Sequence, residues 1–404
     1  MIIGIDASRA NRQRRTGTEW YSFYLIKNLA KLDKENTYWL YLDEPISPDL
    51  LEVVKTNYNF VIKYLDWPLA SFWTLGRLSW EMIWRAPEVL FIPAHTVPLI
   101  RPKRTVNTIH DIAFYRERHL YLSQQPRSTK FGFRSLANLI IKMFTLGKYG
   151  ACSVDYLYWS TEYALKKAEQ IISVSEFTKQ EIFNFFPKTK PTKVQVVHNG
   201  YNSELYRPLA EPEKTQAILD KYNLSQPYFL YVGRLEKKKN TPMLIEALGI
   251  LKEEHPEVKE KLVLIGNASF GFDEVKYVIE EFDLNHEVLI PGWVAEEDLP
   301  YIYNAAHAFI FPTRHEGFGI PILEALACNL PTVASDLPVL KEVAGEAVLY
   351  FDHHDKDQLA QAMYRIIKDE SLRQELIAKG QEQVAKFSWE KCAAETLAVL
   401  VNEK

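Results

Sequence analysis

The chain has 404 residues, 47% of them hydrophobic and 25% charged, and a formal net charge of −4. That is an ordinary globular composition at a length that suits two domains. Three cysteines, Cys152, Cys328 and Cys392, are odd in number and irregular in spacing, which excludes a disulfide framework or a zinc site and favours a reducing compartment.

No stretch approaches the roughly 20 apolar residues needed to cross a bilayer. Residues 1–7 read as a strand through Ile2, Ile3 and Ile5, with no basic-then-apolar leader, so neither a signal peptide nor a targeting segment is expected. The small net charge conceals an asymmetry. Residues 1–200 hold 27 Lys and Arg against 18 Asp and Glu, a net of +9, and residues 201–404 hold 21 against 34, a net of −13. Halves of opposite sign imply two domains with different partners, the basic half meeting something anionic.

In chain order, strand-like runs occur at 2–6, 37–42, 89–93, 105–109, 170–174 and 193–197, mostly separated by helical patterns. An Arg-rich stretch (Arg9, Arg12, Arg14, Arg15) leads to Gly17 and a helix over Trp20–Leu32. The segment Tyr64–Trp84 carries Trp67, Phe72, Trp73, Trp80 and Trp84, aromatics that suit a membrane interface. His95 ends one strand and His110 the next, the latter followed by Asp111. Residues 118–154 contain no Asp or Glu but carry Arg118, Arg127, Lys130, Arg134, Lys142 and Lys148. Apolar residues Phe133, Leu136, Leu139, Ile140, Met143 and Phe144 recur there at roughly helical spacing. A basic amphipathic helix of this kind reads as an element for an anionic membrane surface. A boundary falls near Asn199–Pro212, just after His198 and Asn199, which are expected to shape a hinge; Pro208 and Pro212 flank a polar stretch there.

Beyond it, strands at 228–232, 261–265, 287–290, 307–311, 331–334 and 347–351 alternate with helices at 241–253, 273–283, 296–305, 320–328, 338–344, 356–368 and 370–385. Short apolar strands with helical crossovers indicate parallel sheets covered on both faces. The strand Tyr228–Val232 runs into Gly233-Arg234-Leu235-Glu236-Lys237-Lys238-Lys239-Asn240, a basic loop before a helix. Arginine offers a planar fork to phosphate oxygens and lysine a compact charge, so the loop can hold a diphosphate. The run His307–Thr313 leads into Glu316-Gly317-Phe318-Gly319-Ile320-Pro321-Ile322-Leu323-Glu324. Its two glycines allow close backbone approach, Pro321 suits a first helical turn, and the free N–H groups attract an anion. Glu316 and Glu324 beside an anion site are acceptors for sugar or ribose hydroxyls. Asp352-His353-His354-Asp355-Lys356-Asp357 has the residue types of a metal site, but it precedes a helix, where aspartate is an ordinary N-cap, and no metal is expected there.

These segments, with Gly292-Trp293-Val294, Pro331–Asp336, Thr16-Gly17-Thr18, His110-Asp111, Ile172–Thr178 and His198-Asn199-Gly200, resemble the family 4 glycosyltransferases. The resemblance covers nearly the whole chain and is weakest over 45–90 and 119–155. It implies a GT-B fold, two Rossmann-like doubly wound domains facing across a cleft. Residues 1–200 form the acceptor side, 201–386 bind the nucleotide sugar, and the helix at 387–404 returns to the first domain.

It further implies a retaining hexosyltransferase that moves a sugar from GDP-mannose or a UDP-sugar to a glycan or lipid-linked oligosaccharide in cell-surface polysaccharide synthesis. The catalytic set is then His110, Glu316, Arg234 and Lys239. The donor is held by Gly17, Arg234, Lys239, Gly292, Trp293, Val294, Glu316, Gly317, Phe318, Gly319, Ile320 and Glu324, with Glu324 on the ribose and Gly292–Val294 on the base. Glu19 stands where many members carry a second glycine. No cofactor, metal or nucleic acid is implied, and the location is cytoplasmic or peripheral on the inner membrane face. An epimerase of the same fold, or a non-catalytic binding protein that kept it, are the competing readings.

Overall fold

A computed structural model describes residues 1–68, 72–94, 96–121, 153–269 and 271–401. The chain forms two compact units, Met1–Gly200 with Trp389–Lys404, and Tyr201–Ser388. The first holds a seven-stranded sheet of β1 (Ile2–Asp6), β2 (Thr37–Leu42), β3 (Phe60–Tyr64), β4 (Val89–Ile92), β5 (Thr105–Ile109), β6 (Gln170–Ser173) and β7 (Val194–Val196) in the order β3-β2-β1-β4-β5-β6-β7. The second holds β8 (Tyr228–Val232), β9 (Lys261–Ile265), β10 (Val288–Gly292), β11 (Ala308–Phe311), β12 (Thr332–Ser335) and β13 (Leu349–Phe351) in the order β10-β9-β8-β11-β12-β13. Every pairing is parallel, with registers such as Ile3↔Tyr38 and Phe309↔Thr332.

Strands β4 and β8 are apolar throughout, as strands buried on both faces are; Tyr228, Phe229, Leu230 and Tyr231 are all fully buried. In each sheet the order reverses beside its first strand, at β1/β4 and at β8/β11. The carboxyl ends of strands at such a switch point are where doubly wound sheets bind ligands.

β3 is absent from the strands expected from the sequence. It lies at the sheet edge with Val61 and Ile62 exposed, so it lacks the continuous apolar run that marks the buried strands. The aromatic segment before β4 divides. Trp73 is buried, donates its ring N–H to the Leu65 carbonyl at 2.9 Å, and packs with Tyr41, Leu78 and Met82; Trp67 packs against the same cluster. Those two are core residues, not interface anchors, whereas Phe72, Trp80 and Trp84 are exposed.

The basic amphipathic segment at 118–154 lies, apart from its ends, outside the described residues, as do His95 and Cys152. At its described end Arg118 pairs with Asp155 at 3.2 Å and lies over the Tyr158 ring. Among the described residues no helix is long and apolar enough to cross a membrane.

The returning segment begins at Trp389, two residues later than expected. Phe387 stays with the second unit, edge-on to Phe318 at 5.7 Å. The helix Trp389–Val401 packs on the helix Gly17–Leu32 through Trp389, which stacks on Tyr24 at 5.4 Å. Arg104 Nη2 donates to the Leu400 carbonyl at 2.9 Å.

Candidate functional site

The basic loop after β8 is shaped by a close crossing. A Cβ on Gly266, which follows β9 with φ of +145°, would sit 1.9 Å from the Gly233 carbonyl oxygen. Only glycine lets the two strand ends approach this closely. Beyond it, Leu235 is fully buried, its N–H bonded to the Asn267 carbonyl at 3.0 Å and its own carbonyl accepting from Ser269 N–H at 3.0 Å. Lys237–Lys239 then make one 3₁₀ turn, ended by Asn240 in the left-handed region at φ +58°.

The loop after β11 is stapled to this turn. Thr313 Oγ1 donates to the Lys238 carbonyl (3.3 Å) and Arg314 N–H to the same carbonyl (3.0 Å). Arg314 Nε donates to Asn240 Oδ1 at 3.0 Å, and Asn240 Nδ2 to the His353 carbonyl at 3.0 Å. Gly319, at φ +101°, caps the helix Ile320–Ala327, whose first turn carries Pro321. Phe318 is buried against Phe387, which fixes the loop from below.

The two loops bring Lys239 and Glu316 together. Their ammonium and carboxylate form a hydrogen-bonded ion pair, each side chain mostly covered, with the ammonium also near the Phe311 ring. The charges of Glu316 and Glu236 reach the buried Tyr231 phenol and add to the burial that pushes it well up. Arg234 stands slightly apart. Its Nη2 donates to Ser269 Oγ at 2.9 Å, its Nε lies 3.7 Å from Glu236, and its side chain is 57% exposed. Glu236 also faces Lys238 at 3.5 Å, so the basic loop carries its own counter-charge.

Glu324, one turn into the helix Ile320–Ala327, accepts from the Tyr303 hydroxyl at 3.0 Å. Loss of hydration pushes its carboxyl up to about 7, helped by the charge of Glu296 and opposed by hydrogen bonds from Tyr303 and Tyr206. Gly292 closes β10, Trp293 is 43% exposed and Val294 is buried, so of these three the indole is the surface that could meet a base.

In the first unit, Gly17 opens its helix, and a Cβ there would meet nothing within 4 Å. The fold leaves that space open. Glu19 is a cap: it accepts from the Thr16 hydroxyl and from Thr16 N–H (3.2 Å) and pairs with Arg9 at 3.3 Å. His110 Nε2 lies 2.8 Å from the Pro93 carbonyl, which can only accept, so the proton is on Nε2. The ring meets fully buried Tyr21 edge-on at 4.8 Å.

Asp355 is the N-cap of Lys356–Lys368, accepting from Gln358 N–H at 2.9 Å. Among the described residues no cluster of three metal-ligating side chains occurs. A cavity of about 630 Å³ opens beside Lys237, Asn240, Arg314, Asp352 and Asp355. It borders the staple but includes none of Arg234, Lys239, Glu316 and Glu324.

Arg314, Ser269, Tyr303 and Tyr206 carry no local sequence signature for the parts they play here, whereas Asn240 has one, since asparagine tolerates the left-handed turn it occupies.

The family described as "Glycosyl transferases group 1" matches residues 215–383. The chain is 32% identical over 303 residues to O-antigen chain mannosyltransferase B of Escherichia coli, covering 74% of this chain and 77% of that one. Sucrose-phosphate synthase from Thermosynechococcus elongatus superposes with a TM-score of 0.72 over 98% of both chains at 18% identity. Alr3699/HepE from Anabaena, in complex with UDP and glucose, gives 0.71 over 100% and 99% of the two chains at 16% identity. These neighbours share the GT-B fold. With parallel sheets carrying basic and acidic loops at their switch point, and a relative at this identity over this share of both sequences, the chain belongs to the group 1 glycosyl transferases and is a glycosyltransferase enzyme.

Proposed function

We propose that the enzyme is a retaining family 4 hexosyltransferase that uses a nucleotide-diphosphate sugar, with GDP-mannose first and UDP-sugars second. The acceptor is a glycan or lipid-linked oligosaccharide of a cell-surface polysaccharide. The observation that carries this reading is the Lys239–Glu316 pair, held on two stapled loops at the β8/β11 switch point. A diphosphate beside Lys239 and Arg234 gains charge-assisted hydrogen bonds, and a hexose beside Glu316 gains an acceptor for its hydroxyls. The mannose preference draws support from the O-antigen mannosyltransferase relative, and the UDP alternative from the Anabaena neighbour.

In the reaction, the bond between the anomeric carbon and the phosphate oxygen breaks as the acceptor oxygen attacks from the same face. The acceptor proton passes to the leaving phosphate. Negative charge grows on that phosphate, and Lys239 and Arg234 stabilise it, an effect worth about 3–4 kcal/mol for one well-placed donor. His110 is the residue of the first unit assigned to the transferred sugar and the acceptor. Attachment to an anionic membrane through residues 118–154 belongs to the same proposal, and co-flotation with anionic but not neutral vesicles tests it.

Incubation of the purified chain with GDP-mannose, and separately with UDP-glucose and UDP-N-acetylglucosamine, tests the assignment with a mannosylated acceptor present and absent. Acceptor-dependent release of GDP with an α-linked product is expected. A β-linked product overturns the retaining mechanism. Donor epimerised without acceptor favours the epimerase, and no turnover of any donor ends the reading.

A further inference from the structure

Glu324 stands one turn into the helix Ile320–Ala327, and two phenols grip its carboxylate. Tyr303, on the helix Leu299–Ala305, donates to Oε2 at 3.0 Å. Tyr206, on the segment by which the chain enters the second unit, hydrogen-bonds the same carboxylate. The two rings meet edge-on at 5.6 Å, and Tyr303 leans on Phe309 of β11 at 5.5 Å. Both tyrosines are buried, so their hydroxyls have little freedom. Burial holds the Tyr303 phenol well above its ordinary range, which keeps it a donor.

The titratable groups facing Glu324 are Tyr303, Tyr206, Glu296 and Cys328. Glu296 repels the ionised form, and the Cys328 thiol is pushed up chiefly by burial and further by the Glu324 charge. Burial alone favours a neutral carboxylic acid, which is a poor acceptor for two hydroxyls. An ionised, oriented carboxylate accepts from both hydroxyls of a cis-diol.

We propose that Tyr303 and Tyr206 are positioning residues for the donor: their hydroxyls fix the Glu324 carboxylate so that it accepts from the ribose diol of a nucleoside diphosphate. This rests on the reading of Glu324 as the ribose ligand. Neither tyrosine needs to touch the nucleotide; both act through the carboxylate.

The test is calorimetric titration of the full chain with GDP, UDP and ADP. The tightest binder is then compared with its 2′-deoxy counterpart from about pH 6 to about pH 8.5, a span that brackets the raised Glu324 value. Wild type prefers the ribose form by about tenfold or more, because a site built to bind a hydroxyl leaves a buried acceptor unpaired without it. That preference rises with pH as Glu324 ionises. Glu324→Gln removes it. Tyr303→Phe keeps the deoxy affinity, lowers the ribose preference about fivefold near neutral pH, and regains it at the alkaline end because the ionisation midpoint has moved up. A merely structural loss does not return with pH.

If Tyr303→Phe and Tyr206→Phe both keep the wild-type preference and pH profile while Glu324→Gln loses it, the positioning role is overturned and the ribose reading stands. If Glu324→Gln keeps the preference, or no nucleotide binds, the ribose reading itself falls and takes the proposal with it. Should Tyr303→Phe fail to fold, Tyr206→Phe carries the same readout, and a ribose preference and pH profile equal to wild type in that variant overturn the proposal.

Discussion

Lys239 and Glu316 meet as a hydrogen-bonded ion pair although 77 positions separate them, with side chains only 14% and 15% exposed. A pair so covered acts as a unit, so its two members should not contribute independently. Lys239→Ala and Glu316→Gln are each expected to lower kcat by about 100- to 1,000-fold. The double variant should fall short of the product of the two losses by a coupling of about 1–3 kcal/mol. Steady-state release of nucleotide diphosphate measures all four corners of the cycle. Fully multiplicative losses would show that the pair does not act on one reacting group.

Arg234 is more than half exposed, and its mostly covered partner Glu236 keeps Lys238 as a counter-charge at 3.5 Å, so removing Arg234 does not strand a carboxylate. Arg234→Ala should keep thermal stability within about 0.5 kcal/mol of wild type. On the proposed mechanism it should also lower turnover more than donor affinity, because a charge that stabilises the leaving phosphate acts in the transition state. A raised KM with unchanged kcat contradicts this.

Two glycines make opposite predictions. Gly266→Ala would place a Cβ 1.9 Å from the Gly233 carbonyl oxygen, and the basic loop must shift or the sheet must open. A loss of more than about 3 kcal/mol is expected in denaturant unfolding. Gly17→Ala meets nothing within 4 Å and should stabilise by about 0.5 kcal/mol. If the donor phosphates approach there, the same change lowers kcat/KM by about tenfold, a modest steric effect. Unchanged activity would remove Gly17 from the donor site.

The Glu324 carboxyl is raised from its ordinary 4.5 to about 7 in the folded chain, chiefly by burial. Between those values the folded state holds a proton that the unfolded state has lost. This group's contribution is therefore fully present below about 4.5 and is lost as the pH rises through about 7. Against Glu324→Gln, wild type should lose melting temperature over that window and run parallel above it. A constant difference across the window contradicts the raised value.

Asp355→Ala deletes the N-cap of Lys356–Lys368 and should cost about 1 kcal/mol in thermal unfolding. Glycosyl transfer should be insensitive both to this change and to a chelator. Loss of activity with EDTA, restored by a divalent ion, would overturn the expectation that transfer needs no metal.

The sheets were legible because their strands are short apolar runs between helical patterns, buried on both faces; Tyr228–Val232 is the plainest case. Edge strand β3 was not, since Val61 and Ile62 face solvent and its pattern is weak. Loop chemistry was legible at Lys239 and Glu316 because charge type and glycine spacing are local. The partners of Glu324 were not, because Tyr206 and Tyr303 reach it through packing between distant segments, which no spacing rule encodes. Glu19 shows a different failure. Read as a departure from a glycine position, it is the fourth residue of Thr16-Gly17-Thr18-Glu19, a capping box visible in the sequence by itself.

The stacking of Trp389 on Tyr24 also orders the molecule's synthesis. The last element of the first unit leaves the ribosome only after the entire second unit has emerged. A nascent chain can therefore close its later body before its earlier one. Until then Tyr21 and Tyr24 lack the Trp389 ring that packs against both.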